Sequence, residues 1–201
     1  MYEKLLLGTS GSPRHLPFGG ESIVYLRTLD DYRRLRALTE TGDRFAVIGG
    51  GVIRFEVAAA RAMNGKYVTM IFPGKAALAF SADLSKSVTQ LYQEKGVEVL
   101  TGKTVEGVDE HGNRLVLHVS GNQSIAVDAV VAGIGITPNA DLTKATNLNV
   151  SNGIVVDEIL QTSALHIYAA GDVANVFNPA LNKRIRVEHE DNANTMGRLA
   201  G

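Results

Sequence analysis

The chain of 201 residues is 45% hydrophobic and 20% charged with a formal charge of −1, enough apolar material for one or two small globular domains and no basic field for nucleic acid or a polybasic membrane patch. Zero cysteines exclude a disulfide framework, thiolate metal sites and a redox-active dithiol, and the five histidines, His15, His111, His118, His166 and His189, show no metal-ligand spacing. No apolar run approaches the roughly 20 residues of a bilayer span, and the start Met-Tyr-Glu-Lys-Leu-Leu-Leu is too short for a signal peptide, so a cytoplasmic location is expected.

In chain order, Glu3 to Leu7 reads as a short strand running straight into a glycine-rich loop, Gly8 to Arg14, with nothing before it to cover it, which points to a larger parent protein. Ile23 to Leu26 can form another strand. Thr28 and Asp31 stand as a capping box with Asp in the usual place of Glu, and Leu29, Tyr32, Leu35 and Leu38 recur at helical spacing opposite Arg33, Arg34 and Arg36. Gly42 ends that helix.

Phe45 to Ile48 is then an apolar strand, Gly49-Gly50-Gly51 a bend, and Val52 to Met63 a helix-competent segment. Strand, tight turn and helix in that order is how a dinucleotide site begins. Gly49 supplies the turn, Gly51 lets backbone N–H groups approach a pyrophosphate, and the helix start at Val52 offers unpaired donors and a positive dipole end. A plain strand-to-helix turn without a ligand would use the same residues. Arg54 stands where the third glycine of G-x-G-x-x-G would let the helix pack close on its sheet. The helix tilts away, the side chain clashes, or the guanidinium pairs with phosphate.

Gly65 closes the helix and Lys66 to Phe72 forms the next strand, whose end is where a carboxylate would hold the 2′-OH of an adenine ribose. Phe72 occupies that slot, followed by Pro73, Gly74 and Lys75. Lys75 reads either as a contact to the ribose or a 2′-phosphate or as a solvated loop lysine. Asp83 to Lys95 is a helix ended by Gly96, and Val97 to Leu100 a third parallel strand, completing βαβαβ. Thr104 to Val127 changes texture to an antiparallel meander with turns at His111-Gly112-Asn113 and Ser120-Gly121-Asn122. Asp128 to Ala132 returns as an apolar strand and enters a loop, Gly133 to Asn139, in which Pro138 stops the strand. Ile154 to Val156 and His166 to Ala169 are short strands, and Asp172 beyond the second reads as an acceptor for a ribose or ribityl hydroxyl or as a turn former.

Several stretches in one order carry a resemblance: Leu5 to Arg14, the run Gly49 to Ile53, Gly135-Ile136-Thr137-Pro138-Asn139, Thr162-Ser163 with Ile167 to Val173, and Arg186 to Ala193. Over its whole length the chain resembles the FAD-dependent pyridine nucleotide oxidoreductases, within them the ferredoxin and rubredoxin reductase group. Ile71-Phe72-Pro73-Gly74-Lys75 and Gly197 to Gly201 are most similar to its apoptosis-inducing-factor branch. The resemblance implies an α/β fold, a Rossmann-like three-layer NAD(P)-binding domain with an antiparallel meander at about residues 29–150, flanked by partial FAD-domain segments at 1–28 and 151–201. It also implies a hydride passing from nicotinamide to flavin and single electrons leaving to an iron-sulfur partner of ferredoxin or rubredoxin type.

Carried over by motif, Gly49, Gly51, Val52, Ile53 and Gly135 would line NAD, with Glu56 near the nicotinamide carboxamide; Gly50 of the same bend, and Phe72 and Lys75 at the strand end read above, join them as candidate contacts. Thr9, Gly171 and Asp172 would touch FAD, and Glu188 and His189 would lie near the flavin ring. Apart from the resemblance, Glu56 is a first-turn helix acid favoured by the dipole and Glu188 with His189 an exposed loop pair. Where the resemblance has Ala-Thr-Gly this chain has Gly8-Thr9-Ser10, the helix glycine is Arg54, and the acid of Phe-Pro-Glu-Lys is Gly74, so weakened NAD affinity is expected. The family's first nucleotide unit would precede Met1 and its interface domain would follow Gly201, so tight FAD binding by this chain alone is not expected. Three roles stay open: an oxidoreductase fragment that binds nucleotide, a non-catalytic nucleotide-binding or interaction module, and a reductase sharing its flavin site between copies, for instance as a homodimer. The electron acceptor and the choice between NADH and NADPH stay open too.

Overall fold

The computed structural model describes residues 3–49, 51–74, 81–144 and 146–201, with residues 52–54 followed as backbone. Gly50 and Lys75, both singled out above, lie outside the described residues. The elements are β1 (Leu5–Leu7), β2 (Gly11–Pro13), β3 (Ile23–Val24), α1 (Leu29–Thr41), β4 (Arg44–Gly49), α2 (Val52–Met63), β5 (Tyr67–Phe72), α3 (Ala82–Glu94) and β6 (Glu98–Thr101). There follow β7 (Val105–His111), β8 (Arg114–Val119), β9 (Gln123–Val127), β10 (Ala129–Gly133), β11 (Ile136–Pro138), β12 (Ile154–Val156), β13 (Ile167–Ala169), β14 (Ala174–Asn178), β15 (Lys183–Ile185) and α4 (Glu190–Ala200). They fall into two compact units, one of residues 13–135 and one joining 1–12 to 136–201.

In the first unit a five-stranded sheet has the order β3-β10-β4-β5-β6, every neighbouring pair parallel. Its central strands β10, β4 and β5 are buried on both faces, as those of a covered parallel sheet must be, while the edge strand β6 is partly exposed. Phe45 and Val47 of β4, Val68 and Met70 of β5, and Ala129 and Val131 of β10 turn to one side and pack with Leu35, Phe55, Ala58 and Val88 of the three helices α1, α2 and α3. Ala46, Ile48, Ile71, Val130 and Ala132 turn to the other and pack with Val105, Leu117, Val119 and Val127 of the β7-β8-β9 meander. The sheet is thus the middle of three layers, the Rossmann-like arrangement with a meander that the sequence implied. Each fully buried side chain of this kind, such as Phe45, Met70 or Leu117, contributes about 1.5–3 kcal/mol of burial free energy.

Local chemistry fixes the joints of this unit. The capping box at α1 forms as expected: Thr28 Oγ1 accepts from the Asp31 amide at 3.2 Å and the Asp31 carboxylate accepts from the Thr28 amide at 2.7 Å. Burial opposes ionisation of Asp31, but the hydroxyl and amide of Thr28, the Arg27 amide and the Arg34 charge outweigh it and hold the carboxyl below its ordinary value. Gly42 ends α1 for a reason other than a left-handed turn. Its φ is −104°, and a Cβ there would come within 2.8 Å of the Asp128 Cβ. That approach lets the Asp128 carboxylate accept the amides of Asp43 and Arg44 at 2.8 and 2.9 Å, pinning the start of β10 to the start of β4. Asp128 therefore lies outside the strand that was expected to begin with it.

In the second unit β1 and β13 pair in parallel, Leu5 opposite Ile167 and Leu7 opposite Ala169. β12 and β14 pair in parallel and β14 turns back antiparallel to β15. Met196 of α4 closes a core of Leu7, Ile154, Val156, Ala169 and Val173. The expected loop from Gly133 to Asn139 contains β11, which pairs with β2, so part of that stretch is strand. Among the described residues no helix is long and apolar enough to cross a membrane.

Candidate functional site

β4 ends at Gly49, between the ends of β5 and β10. There φ is +135°, and a Cβ would lie 2.1 Å from the carbonyl oxygen of Gly133, so no other residue fits between these strand ends. Gly51 is held by neither constraint. It is the N-cap of α2 with an ordinary φ of −92° and makes no side-chain cap, and among the described residues beyond its chain neighbours a Cβ on it would meet no atom within 4 Å. In front of it opens a crevice of about 570 Å³ at the carboxyl ends of β4, β5 and β10, lined among others by Gly49, Gly51, Phe72, Gly74, Lys103 and Gly135. That is where an open parallel sheet takes its ligand.

Of the residues expected at a nucleotide, Gly49, Gly51, Phe72 and Gly135 come together around this crevice. Val52 and Ile53 form the first turn of α2, though their side chains, like that of Arg54, lie outside the described residues. Glu56 is not among the lining residues and its side chain is exposed further along α2. Burial, with the Glu56 charge adding to it, raises the pKa of Tyr92, whose hydroxyl donates to the Phe55 carbonyl at 2.8 Å. Lys103 was not singled out from the sequence. The signal for it was its place directly after the third parallel strand.

A second cluster lies in the other unit, where the loops after the paired strands β1 and β13 meet. Thr9 Oγ1 donates to the Asn139 carbonyl at 2.6 Å and Asn139 Nδ2 donates back to the Thr9 carbonyl at 3.0 Å. Ser10, at the position where the resemblance has glycine, keeps a left-handed φ of +59°, and its hydroxyl donates to the Asp172 carboxylate at 3.3 Å. Arg186, with a side chain only 6% exposed, donates to the Asp172 carbonyl at 2.8 Å and pairs with Glu188 at 3.0 Å. Arg186 was quoted in the resemblance but given no role, and it joins Asp172 to Glu188. His189 is the N-cap of α4, its Nδ1 accepting the Asp191 amide at 3.1 Å. Gly171, with φ +74°, begins the turn that carries Asp172. Among the described residues no group of three or more His, Asp or Glu could hold a metal ion.

A three-layer parallel α/β unit whose glycine bend opens on a crevice at the strand ends defines a Rossmann-type class of protein, and comparison with known proteins makes it specific. The chain belongs to the pyridine nucleotide-disulphide oxidoreductase family, which matches residues 1–197. It is 35% identical over 204 residues to putidaredoxin reductase of Pseudomonas putida, covering 96% of this chain and 48% of that protein. It is 34% identical over 217 residues to the mitochondrial apoptosis-inducing factor 1 of Dictyostelium discoideum, covering 100% of this chain and 40% of that protein. The chain thus spans about half the length, or less, of these curated relatives.

Among solved structures, the putidaredoxin reductase in its covalent complex with putidaredoxin superposes with a TM-score of 0.93 at 33% identity, over 99% of this chain and 50% of that one. A water-forming NADH oxidase from Lactobacillus brevis bound to NADH gives 0.91 at 27% identity, over 98% and 45%. An engineered water-forming NADPH oxidase bound to NADPH gives 0.92 at 27% identity, again over 98% and 45%.

Proposed function

We propose that this chain carries the pyridine-nucleotide module of a flavin-dependent NAD(P)H oxidoreductase that passes electrons through FAD to a small carrier protein of ferredoxin or rubredoxin type. The unit of residues 13–135 takes the nucleotide, and the unit that joins 1–12 to 136–201 belongs to the flavin domain. The observation that carries this reading is Gly51, where neither φ nor packing among the described residues calls for glycine. A ligand's close approach is the remaining reason for leaving out a Cβ at the N-terminus of a 12-residue helix.

The residues fit the dinucleotide. Main-chain amides at Gly49, Gly51, Val52 and Ile53 hold the diphosphate with the dipole of α2 behind them, and Gly135 serves the nicotinamide end. Thr9, Gly171 and Asp172 serve FAD, with Glu188 and His189 beside its ring. Asp172 suits that role because its main chain is gripped by Arg186 while its carboxylate faces the loop after β1. FAD, when bound, supplies a hydride acceptor that releases electrons singly, chemistry no side chain of this cysteine-free chain provides. The protein's own part is to bind and orient the nucleotide. The carrier class rests on relatives named for putidaredoxin and rubredoxin.

The test is to titrate the purified chain separately with NADH, NADPH and FAD, following nucleotide fluorescence, flavin absorbance and melting temperature. A saturable nucleotide signal with a raised melting temperature is expected. Failure of both nucleotides to bind would overturn the reading and favour an interaction module.

A further inference from the structure

The fold does not decide between the two pyridine nucleotides, since solved structures bound to NADPH and to NADH match this chain equally well, with TM-scores of 0.92 and 0.91. The choice falls to the chemistry where the adenine ribose lies, at the end of β5. From Tyr67 to Ala82 the sequence contains no Asp or Glu, so the carboxylate that would accept a ribose 2′-OH is lacking. Glu98, the acid on the neighbouring strand, sits at the opposite end of β6, where it accepts the Thr69 hydroxyl at 2.8 Å. It lies three residues, about 10 Å, short of that strand's carboxyl end.

A cation stands there instead. The amides of Gly102 and Lys103 donate to the carbonyls of Gly74 and Phe72, each at 3.1 Å, which ties Lys103 alongside the turn after β5. Its Nζ is steadied by the Ser120 carbonyl at 2.8 Å, and an ammonium carries three donors. Among the described residues lining the crevice, Lys103 is the one charged side chain.

We infer that the nucleotide crevice selects the 2′-phosphorylated pyridine nucleotide, with Lys103 as the residue that reads the 2′-phosphate. This rests on the nucleotide reading above. A dianionic phosphate gains a charge-assisted hydrogen bond there, while the plain 2′-OH of NADH meets no carboxylate among the described residues lining the crevice. One such bond corresponds to roughly a tenfold or greater difference in affinity.

Dissociation constants of NADPH and NADH on the unaltered chain, with 2′,5′-ADP and 5′-AMP as competitors lacking nicotinamide, test it without any substitution. NADPH is expected to bind about tenfold or more tightly than NADH, 2′,5′-ADP to outcompete 5′-AMP by a similar factor, and both advantages to shrink as salt is raised. Lys103→Met should weaken NADPH by about tenfold more than it changes NADH, bringing the two affinities together. Equal or tighter binding of NADH overturns the selection and leaves the dinucleotide reading standing; binding of neither overturns both. A preference for NADPH that survives Lys103→Met overturns the role of Lys103.

Discussion

The crevice in residues 13–135 and the cluster in the other unit are built on opposite principles. At the bend that opens the crevice the defining residues, Gly49 and Gly51, are glycines, placed so that main chain faces the opening there. In the cluster, Thr9, Asn139, Ser10, Asp172, Arg186 and Glu188 hold one another by side-chain hydrogen bonds and an ion pair. A site made by leaving side chains out tolerates no additions. A site made of mutual contacts loses stability when one member is removed, but has no single position where a methyl group is fatal.

Substitutions can break that contrast. The largest effect is expected at Gly49→Ala, where the new Cβ falls on the Gly133 carbonyl. It should cost about 4 kcal/mol or more in urea denaturation, and a loss under 1 kcal/mol would mean the strand ends separate easily. Arg186→Met removes the partner of both Asp172 and Glu188 and should cost about 2–3 kcal/mol, with the half-exposed Glu188 resolvated. Gly51→Ser sharpens the contrast most. Serine is a better N-cap than glycine, so the melting temperature should hold or rise, while affinity for the pyridine nucleotide falls at least about tenfold.

The smallest effect concerns Asp128. Burial works against its ionisation, yet the amides of Arg44 and Asp43 and the charges of Arg114 and Arg44 prevail and hold its carboxyl below the ordinary 3.8. A depressed carboxylate stabilises the fold above its unfolded value and loses that contribution as pH falls through the folded value. Asp128→Asn should therefore cost roughly 1 kcal/mol near neutral pH and progressively less as pH falls through the depressed folded value. A constant difference across that range would assign the effect to shape rather than charge.

What was legible in the sequence followed locality. The alternation of Phe45, Ala46, Val47 and Ile48 between two packed faces, the capping box of Thr28 and Asp31, and the glycine turns of the meander are decided within a few residues, and all are found. The β2–β11 pair joins Gly11–Pro13 to Ile136–Pro138, more than a hundred residues away, and no local pattern announces it. Lys103 had only its place after the third parallel strand to announce it, and what sets it at the crevice is non-local: its amide donates to the Phe72 carbonyl and that of Gly102 to the Gly74 carbonyl. Gly42 and Gly49 were recognised as punctuation, but the atoms that require them, in Asp128 and Gly133, are some 85 positions further along.

The central claim is that main-chain amides at the glycine bend take the diphosphate of a pyridine nucleotide. Amide hydrogen exchange of the unaltered chain, with and without saturating NADPH, addresses it directly. The account predicts slowed exchange at Gly51, Val52 and Ile53, absent in Gly51→Ser. Binding that leaves those amides exchanging as fast as in the free protein would contradict it.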